Sequence, residues 1–178
     1  MPLILIYIGF NAVGQSVHQD PTHNFTVQRM LILNEKGEML MCREKHVWVP
    51  PSFVFESRSH VVEGLDSLAM AFGIEVKDIE LRGQFSYKYD YHPHSTLRNF
   101  YVARFEGGDL QVPPGLDEAK WVKIEEAIKL NTVISIKNIT RQIIENPNTV
   151  WGGSFLVSHV GDDHPTKMVE RFYPLFNR

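Results

Sequence analysis

The sequence predicts an α/β fold in which a mixed or antiparallel sheet packs between helices. Two observations carry this prediction. Runs of β-branched and aromatic residues alternate with turn signals, and other segments have apolar residues at helical spacing. The chain has 178 residues, of which 43% are hydrophobic and 22% are charged, and this composition is typical of a globular domain with a buried core.

The first half of the chain predicts a β-hairpin followed by a helix. Residues 25–34 and 38–44 are strand-like, and Gly37 lies in the turn between them. Pro50 and Pro51 predict irregular backbone over residues 46–57. A helix is predicted over 59–72, with Ser59 as its N-cap and Gly73 just past its end. The apolar residues that predict it are Val61, Val62, Leu65, Leu68, Ala69 and Phe72.

The second half predicts further strands and two helices. The strands are expected at 79–89, 96–105, 118–124 and 154–160. The helices are expected at 125–130 and 135–145, with a short one near 167–173.

Near the N-terminus, the apolar run 2–10 predicts a buried strand. No basic residue precedes it, as a signal peptide would require, and it is too short to span a bilayer. This run could instead add to a sheet edge or to a homodimer interface.

Charge and cysteine content narrow the classes of partner. The net charge is −3 and the pI is near 6.2, so neither a nucleic acid nor an anionic membrane surface is expected as a partner. Cys42, as the one cysteine of the sequence, cannot form an internal disulfide. This fits a reducing compartment, and we expect a cytoplasmic protein.

The order of these segments resembles the Nudix fold. A hairpin ending in MCRE is followed by a WVPP loop, a helix ending in FGI, two strands, and DEAKWVKIEEA before a helix. The segment from Glu118 to Trp121, followed by the acids Glu125 and Glu126, is the stronger match. The resemblance implies a single Nudix-like domain over residues 1–178, with a core at about 25–145 and extensions at 1–24 and 146–178.

The family's catalytic motif, G-x5-E-x7-R-E-U-x-E-E-x-G-U with U a bulky aliphatic residue, is degenerate here. Anchored on Gly73 and Ile74, the motif agrees only at Leu68 and at those two residues. The three glutamate positions of the helix hold Ser67, Met70 and Ala71, the arginine position holds Asp66, and the loop positions hold Ser52 and Arg58. A one-residue shift in the loop keeps Glu56 as an acid but restores none of the helix acids.

The missing acids bear on the chemistry that the resemblance implies. The family hydrolyses diphosphates linked to another group, and Mg²⁺ or Mn²⁺ activates the attacking water. These ions need oxygen ligands with negative charge, which Ser67, Met70 and Ala71 do not supply. We therefore expect no metal cofactor. Alternatively, Glu56, Glu63 and Asp66 form a displaced catalytic site that uses Mg²⁺ or Mn²⁺. The simpler explanation, which we favour, is that Glu63 and Asp66 are acids of the first helical turn and Glu56 is a solvated loop residue.

A helix face without glutamates can also pack against apolar groups. The predicted groove beside it is then filled by the chain's own tail, with residues 151–160 as the candidate, or it takes a less charged ligand.

Two further constellations are candidates for binding. Tyr87, Tyr89 and Tyr101 could stack on the base of a nucleotide-like ligand, with Arg43 or Arg98 facing its phosphates, although aromatic residues are also ordinary in strands. Asp90, His92 and His94 alternate in a loop, a spacing that can bind zinc but that equally suits a solvated connection. Their positions are given by the segments QFSYKYDYHPHS and RNFYVARF.

Two functions follow. In the first, the protein is a ligand-binding or regulatory module on a Nudix fold, without the standard pyrophosphohydrolase activity. In the second, it hydrolyses nucleoside diphosphate derivatives with the displaced acids. The glutamate positions favour the first.

Overall fold

The computed structural model describes residues 26–55, 60–91, 93–160 and 164–177. The strands are β1 Thr26–Leu33, β2 Glu38–Glu44, β3 Val47–Val49, β4 Ser52–Phe55, β5 Ile74–Tyr89, β6 Ser95–Gly108, β7 Glu118–Lys123, β8 Thr149–Val157 and β9 Thr166–Asn177. The helices are α1 Val61–Ala71, α2 Ile124–Leu130 and α3 Ile134–Glu145. The predicted α/β class is therefore confirmed.

The strands form one mixed sheet with β1 near its centre. The order is β3-β2-β1-β6-β5-β8-β9, β4 also pairs with β1, and β7 also pairs with β2. β1 runs parallel to β6, so that Val27 lies opposite Arg98 and Arg29 opposite Phe100. Because side chains alternate between the faces of a strand, this register puts the two arginines on the same face as diagonal neighbours.

Each face of the sheet carries its own apolar core. One core lies under α1 and joins Leu65, Leu68 and Phe72 to sheet residues such as Met30 and Ile32. The other lies under α3 and joins its isoleucines to the rings of Phe85, Tyr87, Phe100 and Phe155. A helix on each face is the sandwich that the periodicity predicts.

The sharp end of α1 depends on a glycine. Gly73 has φ +71°, and a Cβ atom there would lie 2.5 Å from the Asp109 carbonyl oxygen. Only glycine meets both constraints without strain. The helix therefore stops at the predicted position, and β5 begins directly afterwards at Ile74.

Three predictions about local structure are wrong. The prolines interrupt only the junction between β3 and β4, because Pro50 and Pro51 leave strands intact on either side of them. The N-cap of α1 is His60, not Ser59, because Glu63 closes the first turn onto the backbone of His60. Residues 167–173 lie in strand β9 and not in a helix, since β9 pairs antiparallel with β8.

The proposed filler of the groove beside α1 also lies elsewhere. Most of segment 151–160 belongs to β8, which runs parallel to β5 and extends the sheet. It packs against α3 and β9 rather than against α1. The tail therefore lengthens the sheet and does not pack against α1. The predicted strand at 2–10 lies outside the described residues.

None of the described helices is long and apolar enough to cross a membrane.

Candidate functional site

The outer face of α1 carries the three residues that stand at the glutamate positions. Ser67 and Ala71 are half-buried, and Met70 is 71% exposed. The opposite face of the helix is buried against the sheet through Leu65, Leu68 and Ala69. The α1 face that would carry the metal ligands therefore meets solvent, but it offers a hydroxyl, a thioether and a methyl group.

The acids nearest to this face have other surroundings. The Glu63 carboxylate accepts a hydrogen bond of 3.4 Å from the backbone N–H of His60, so that it caps the first turn of α1. Asp66 is exposed, and Glu56 lies outside the described residues. Across the described part of the chain, no group of three or more His, Cys, Asp or Glu side chains is placed to hold a metal ion.

A divalent metal of the Nudix type does not fit the α1 face. Mg²⁺ and Mn²⁺ prefer carboxylate oxygens, and one serine hydroxyl beside a thioether cannot replace three glutamates. No hydrolytic step through such a metal can be derived from these residues.

The loop between β5 and β6 was the candidate zinc site. His92 lies outside the described residues, and Asp90 and His94 belong to no metal-ligating group among those described. The loop instead packs through its aromatic residue: the ring centroid of Tyr91 lies 5.6 Å from that of His159 and 6.0 Å from that of His164. The two histidine rings stack on each other at 4.9 Å.

Arg43 lies in a surface ion-pair network. Its guanidinium group lies 3.3 Å from the Asp117 carboxylate and 3.4 Å from the Glu118 carboxylate, and it approaches the Trp48 ring at 5.7 Å. The Glu118 carboxylate also accepts a hydrogen bond from Lys120, which is the main reason that its pKa is lowered. The charge of Arg43 is thus balanced within the protein.

Arg98 and Tyr87, in contrast, form a buried pair on the α3 face. The guanidinium carbon of Arg98 lies 3.8 Å above the centre of the Tyr87 ring, and Phe155 stacks against Tyr87 at 5.1 Å. Arg98 also donates a hydrogen bond of 3.4 Å to the Tyr89 hydroxyl. Tyr101 packs on the α1 side of the sheet, so that the sheet separates it from Arg98 and Tyr87.

Sequence reasoning missed a second arginine beside this pair. Arg29 is 3% exposed, and its guanidinium group donates to the carbonyl oxygen of Pro50. Burial, and secondly the charge of Arg98, lower the pKa of Arg29 from 12.5 to about 10. This difference means that keeping Arg29 charged in the folded protein costs about 3 kcal/mol. The signal in the sequence was an arginine within the apolar strand QRMLIL, which does not by itself tell whether the side chain is buried.

Several buried polar atoms around the pair have no hydrogen-bond partner. They are the Nε of Arg98, the hydroxyl of Tyr87 and the hydroxyl of Ser135. Burial raises the pKa of Tyr87, while the charge of Arg98 and then a contact with the Ser135 hydroxyl act to lower it. The contact between the two hydroxyls lacks the geometry of a hydrogen bond, so each keeps unused capacity. Leaving such a group unpaired in the interior costs about 1–3 kcal/mol.

A second groove, of about 700 Å³, lies between the C-terminal half of α3 and the middle of the sheet. Its charged residues are three cations and three acids, namely Lys77, Arg82, Arg104, Glu35, Asp78 and Glu80. Arg82 pairs with Glu80, and Arg104 pairs with Asp78. The groove therefore has no excess charge with which to select an ion.

The chain forms a mixed sheet with a helix on each face, and its first elements are a hairpin and a loop-to-helix segment that ends at Gly73. This arrangement defines a Nudix-type α/β fold. Solved structures of Nudix proteins share it. The chain superposes on a MutT protein from Bacillus halodurans with a TM-score of 0.65, at 18% identity over 82% of this chain and 97% of that one.

Two other structures lie in the same range. A Nudix hydrolase from Nitrosomonas europaea gives a TM-score of 0.57 at 12% identity, covering 68% of this chain and 89% of that one. A C. elegans Ap4A hydrolase gives 0.51 at 15% identity, covering 67% and 96%. At these low identities, the superpositions show a shared fold and no more. No protein-family model matches the chain, and no curated protein matches it.

Proposed function

We propose that this protein binds a nucleotide-like ligand on a Nudix-type fold and lacks the metal-dependent pyrophosphohydrolase activity of that fold. The observation that carries the proposal is the solvent-facing side of α1, where Ser67, Met70 and Ala71 stand at the glutamate positions. Without carboxylates there, the metal that activates water has no ligands on this helix.

The class of ligand comes from the structural neighbours. Their names include an Ap4A hydrolase, an ADP-ribose pyrophosphatase from Streptococcus suis and an E. coli dihydroneopterin triphosphate pyrophosphohydrolase. Each name specifies a compound with linked phosphates. A protein that keeps this fold without the helix acids retains a surface for such a compound but not the means to hydrolyse it.

The candidate place for the ligand is the α3 face of the sheet, where Arg98 and Tyr87 lie together. An arginine supplies charge-assisted hydrogen bonds to phosphate. The Tyr87 ring is 1% exposed and is covered by Arg98 and Phe155, so it positions the arginine and does not itself stack on a base. Arg43 is a weaker candidate, because Asp117 and Glu118 already balance its charge.

A thermal-shift titration tests the proposal. The full-length protein is titrated with Mg²⁺, Mn²⁺ and Zn²⁺, each with and without ADP-ribose and a panel of nucleotides, and the same mixtures are assayed for turnover. A ligand that binds only the folded state raises the melting temperature by mass action. We expect stabilisation by a nucleotide in the presence of EDTA, and no turnover in Mg²⁺.

The competing hydrolase hypothesis gives a different result. Stabilisation that requires Mg²⁺ or Mn²⁺, together with turnover, would contradict the proposal and indicate a displaced metal site. In that case Glu63→Gln and Asp66→Asn should each reduce turnover at least tenfold if the acid is a ligand. A protein that none of these compounds stabilises would also contradict nucleotide binding.

A further inference from the structure

The arginine pair formed by Arg29 and Arg98 is the most unusual electrostatic feature of the described chain. The two side chains project from adjacent parallel strands onto the α3 face, and they are 3% and 9% exposed. Arginine is rarely buried to this degree without an acidic partner. The pair must therefore be explained by what surrounds it.

No acid balances the pair among the described residues. The ion pairs found among the described residues all involve other lysines and arginines. None of them includes Arg29 or Arg98. The protein contacts of the pair are the Pro50 carbonyl oxygen, the Tyr89 hydroxyl and the face of the Tyr87 ring. All three are neutral groups. The two oxygen atoms accept hydrogen bonds and the ring face attracts a cation, but none of the three carries a negative charge. Two positive charges therefore remain unbalanced in a region screened from water.

Unused donors gather at the same place. The Nε of Arg98 and the hydroxyls of Tyr87 and Ser135 are buried and have no partner. Each can donate a hydrogen bond, and an oxyanion is an acceptor on every oxygen atom. The set therefore provides what a bound phosphate or carboxylate requires: charge, and several donors of different direction.

The start of α3 adds to this preference for an anion. Ser135 is the second residue of the 12-residue helix, whose N-cap, Val133, supplies no side-chain hydrogen bond to the first turn. The first-turn N–H groups of a helix carry a partial positive charge. They therefore reinforce the field of the arginine pair, and no acidic residue occupies the first turn to offset it.

We propose that Arg29 and Arg98, together with Tyr87 and Ser135, bind a small oxyanion, the phosphate or carboxylate group of a ligand. The proposal deepens the proposed function, on which it rests for the nucleotide-like class of ligand. The anion neutralises the pair and accepts hydrogen bonds from the unpaired donors. Arg98, at 9%, is the more exposed of the two arginines, so an ion would enter from its side.

Anion-dependent stability of the full-length protein is the first test. The melting temperature is measured in chloride and then with inorganic phosphate, sulfate or acetate at constant ionic strength. We expect phosphate or acetate to raise it by roughly 5–10 °C at a concentration of about 100 Kd. The larger of the two shifts identifies the group as phosphate or carboxylate. An equal melting temperature in all the salts would overturn the proposal.

Variants assign the effect to the pair. Arg29→Met and Arg98→Met keep much of the side-chain volume and remove the charge, and each should abolish the anion-dependent shift. The matched control is Arg104→Met, because Arg104 is 73% exposed and lies 3.7 Å from the Asp78 carboxylate. The control should keep the full shift. A shift that survives in either test variant would place the anion elsewhere and overturn the proposal.

A measurement on the unmodified chain covers the case in which the variants do not fold. Proton–nitrogen NMR spectra of the arginine Nε–H groups are recorded during a phosphate titration. Signals of Arg29 and Arg98 should move and saturate, whereas that of Arg104 should stay in place. Unmoved signals for the pair would overturn the proposal.

The two proposals fail separately. Phosphate binding at the pair without binding of any nucleotide would support the oxyanion site and contradict the nucleotide-like ligand. Nucleotide binding that Arg29→Met and Arg98→Met leave unchanged would support the proposed function and contradict this site.

Discussion

Restoring the acids of α1 tests why the protein lacks a metal site. The perturbation is the triple variant Ser67→Glu, Met70→Glu and Ala71→Glu, which puts carboxylates at all three glutamate positions. Because Met70 is 71% exposed and the other two residues are half-buried, the variant removes little apolar contact. The side chains have room on the solvent side, so we expect the variant to fold.

The expected cost is electrostatic. The substitutions create four new like-charge pairs at a spacing of three or four residues, namely 63 with 67, 66 with 70, 67 with 70, and 67 with 71. Each pair destabilises a helix by about 0.2–0.5 kcal/mol, and the total is therefore about 1–2 kcal/mol. For a chain of 178 residues this lowers the melting temperature by roughly 2–8 °C.

Thermal melts with EDTA and with Mg²⁺ measure both parts of the prediction. The triple variant should melt lower than the wild type in EDTA and recover in Mg²⁺, whereas the wild type should not respond to Mg²⁺. The uncharged variant Ser67→Gln, Met70→Gln, Ala71→Gln controls for side-chain size. Two results would refute the reasoning: a triple-glutamate variant that does not fold in either buffer, or a wild type that Mg²⁺ stabilises as strongly as the variant.

Three further predictions follow from single residues. Gly73→Ala should destabilise the protein by roughly 2–4 kcal/mol in urea unfolding. The new Cβ would lie 2.5 Å from the Asp109 carbonyl oxygen, and the backbone φ of +71° is strained for alanine. A loss of stability below about 1 kcal/mol would contradict the C-cap assignment. Glu63→Gln should cost less than about 0.5 kcal/mol, since the amide oxygen can still accept the His60 N–H, whereas Glu63→Ala should cost about 1 kcal/mol; equal losses would argue against the capping role. Burial raises the pKa of Cys42 to about 12. Alkylation of Cys42 by iodoacetamide at pH 8 should therefore be at least roughly 100-fold slower in the folded protein than in urea. A difference in rate below tenfold would mean that the thiol is accessible.

Local patterns predicted most of the fold because they come directly from backbone chemistry. The hairpin turn at Gly37, the apolar face of α1 and the glycine after it each depend on a few adjacent residues, and each lies where the sequence indicates. The errors arise where tertiary pairing decides. Segment 167–173 has an amphipathic pattern that suits a helix, but pairing with β8 holds it in a strand.

The candidate site was harder to predict, because its parts come from three distant segments. Tyr87 and Arg98 were chosen for their chemistry, and the antiparallel pairing of β5 with β6 brings them together. Arg29 was missed because an arginine within an apolar strand carries no local sign of whether it is buried. Tyr101 differs from Arg98 by an odd number of residues in the same strand, so the two necessarily face opposite sides of the sheet.

The most direct test of the account is calorimetric titration of the full-length protein with ADP-ribose, first in EDTA and then in Mg²⁺. The contents of the cell are afterwards separated by chromatography. The account predicts the same affinity in both buffers and intact ADP-ribose after prolonged incubation with Mg²⁺. Binding that appears only with Mg²⁺, with AMP and ribose 5-phosphate as products, would contradict it and assign this chain a working metal-dependent hydrolytic site.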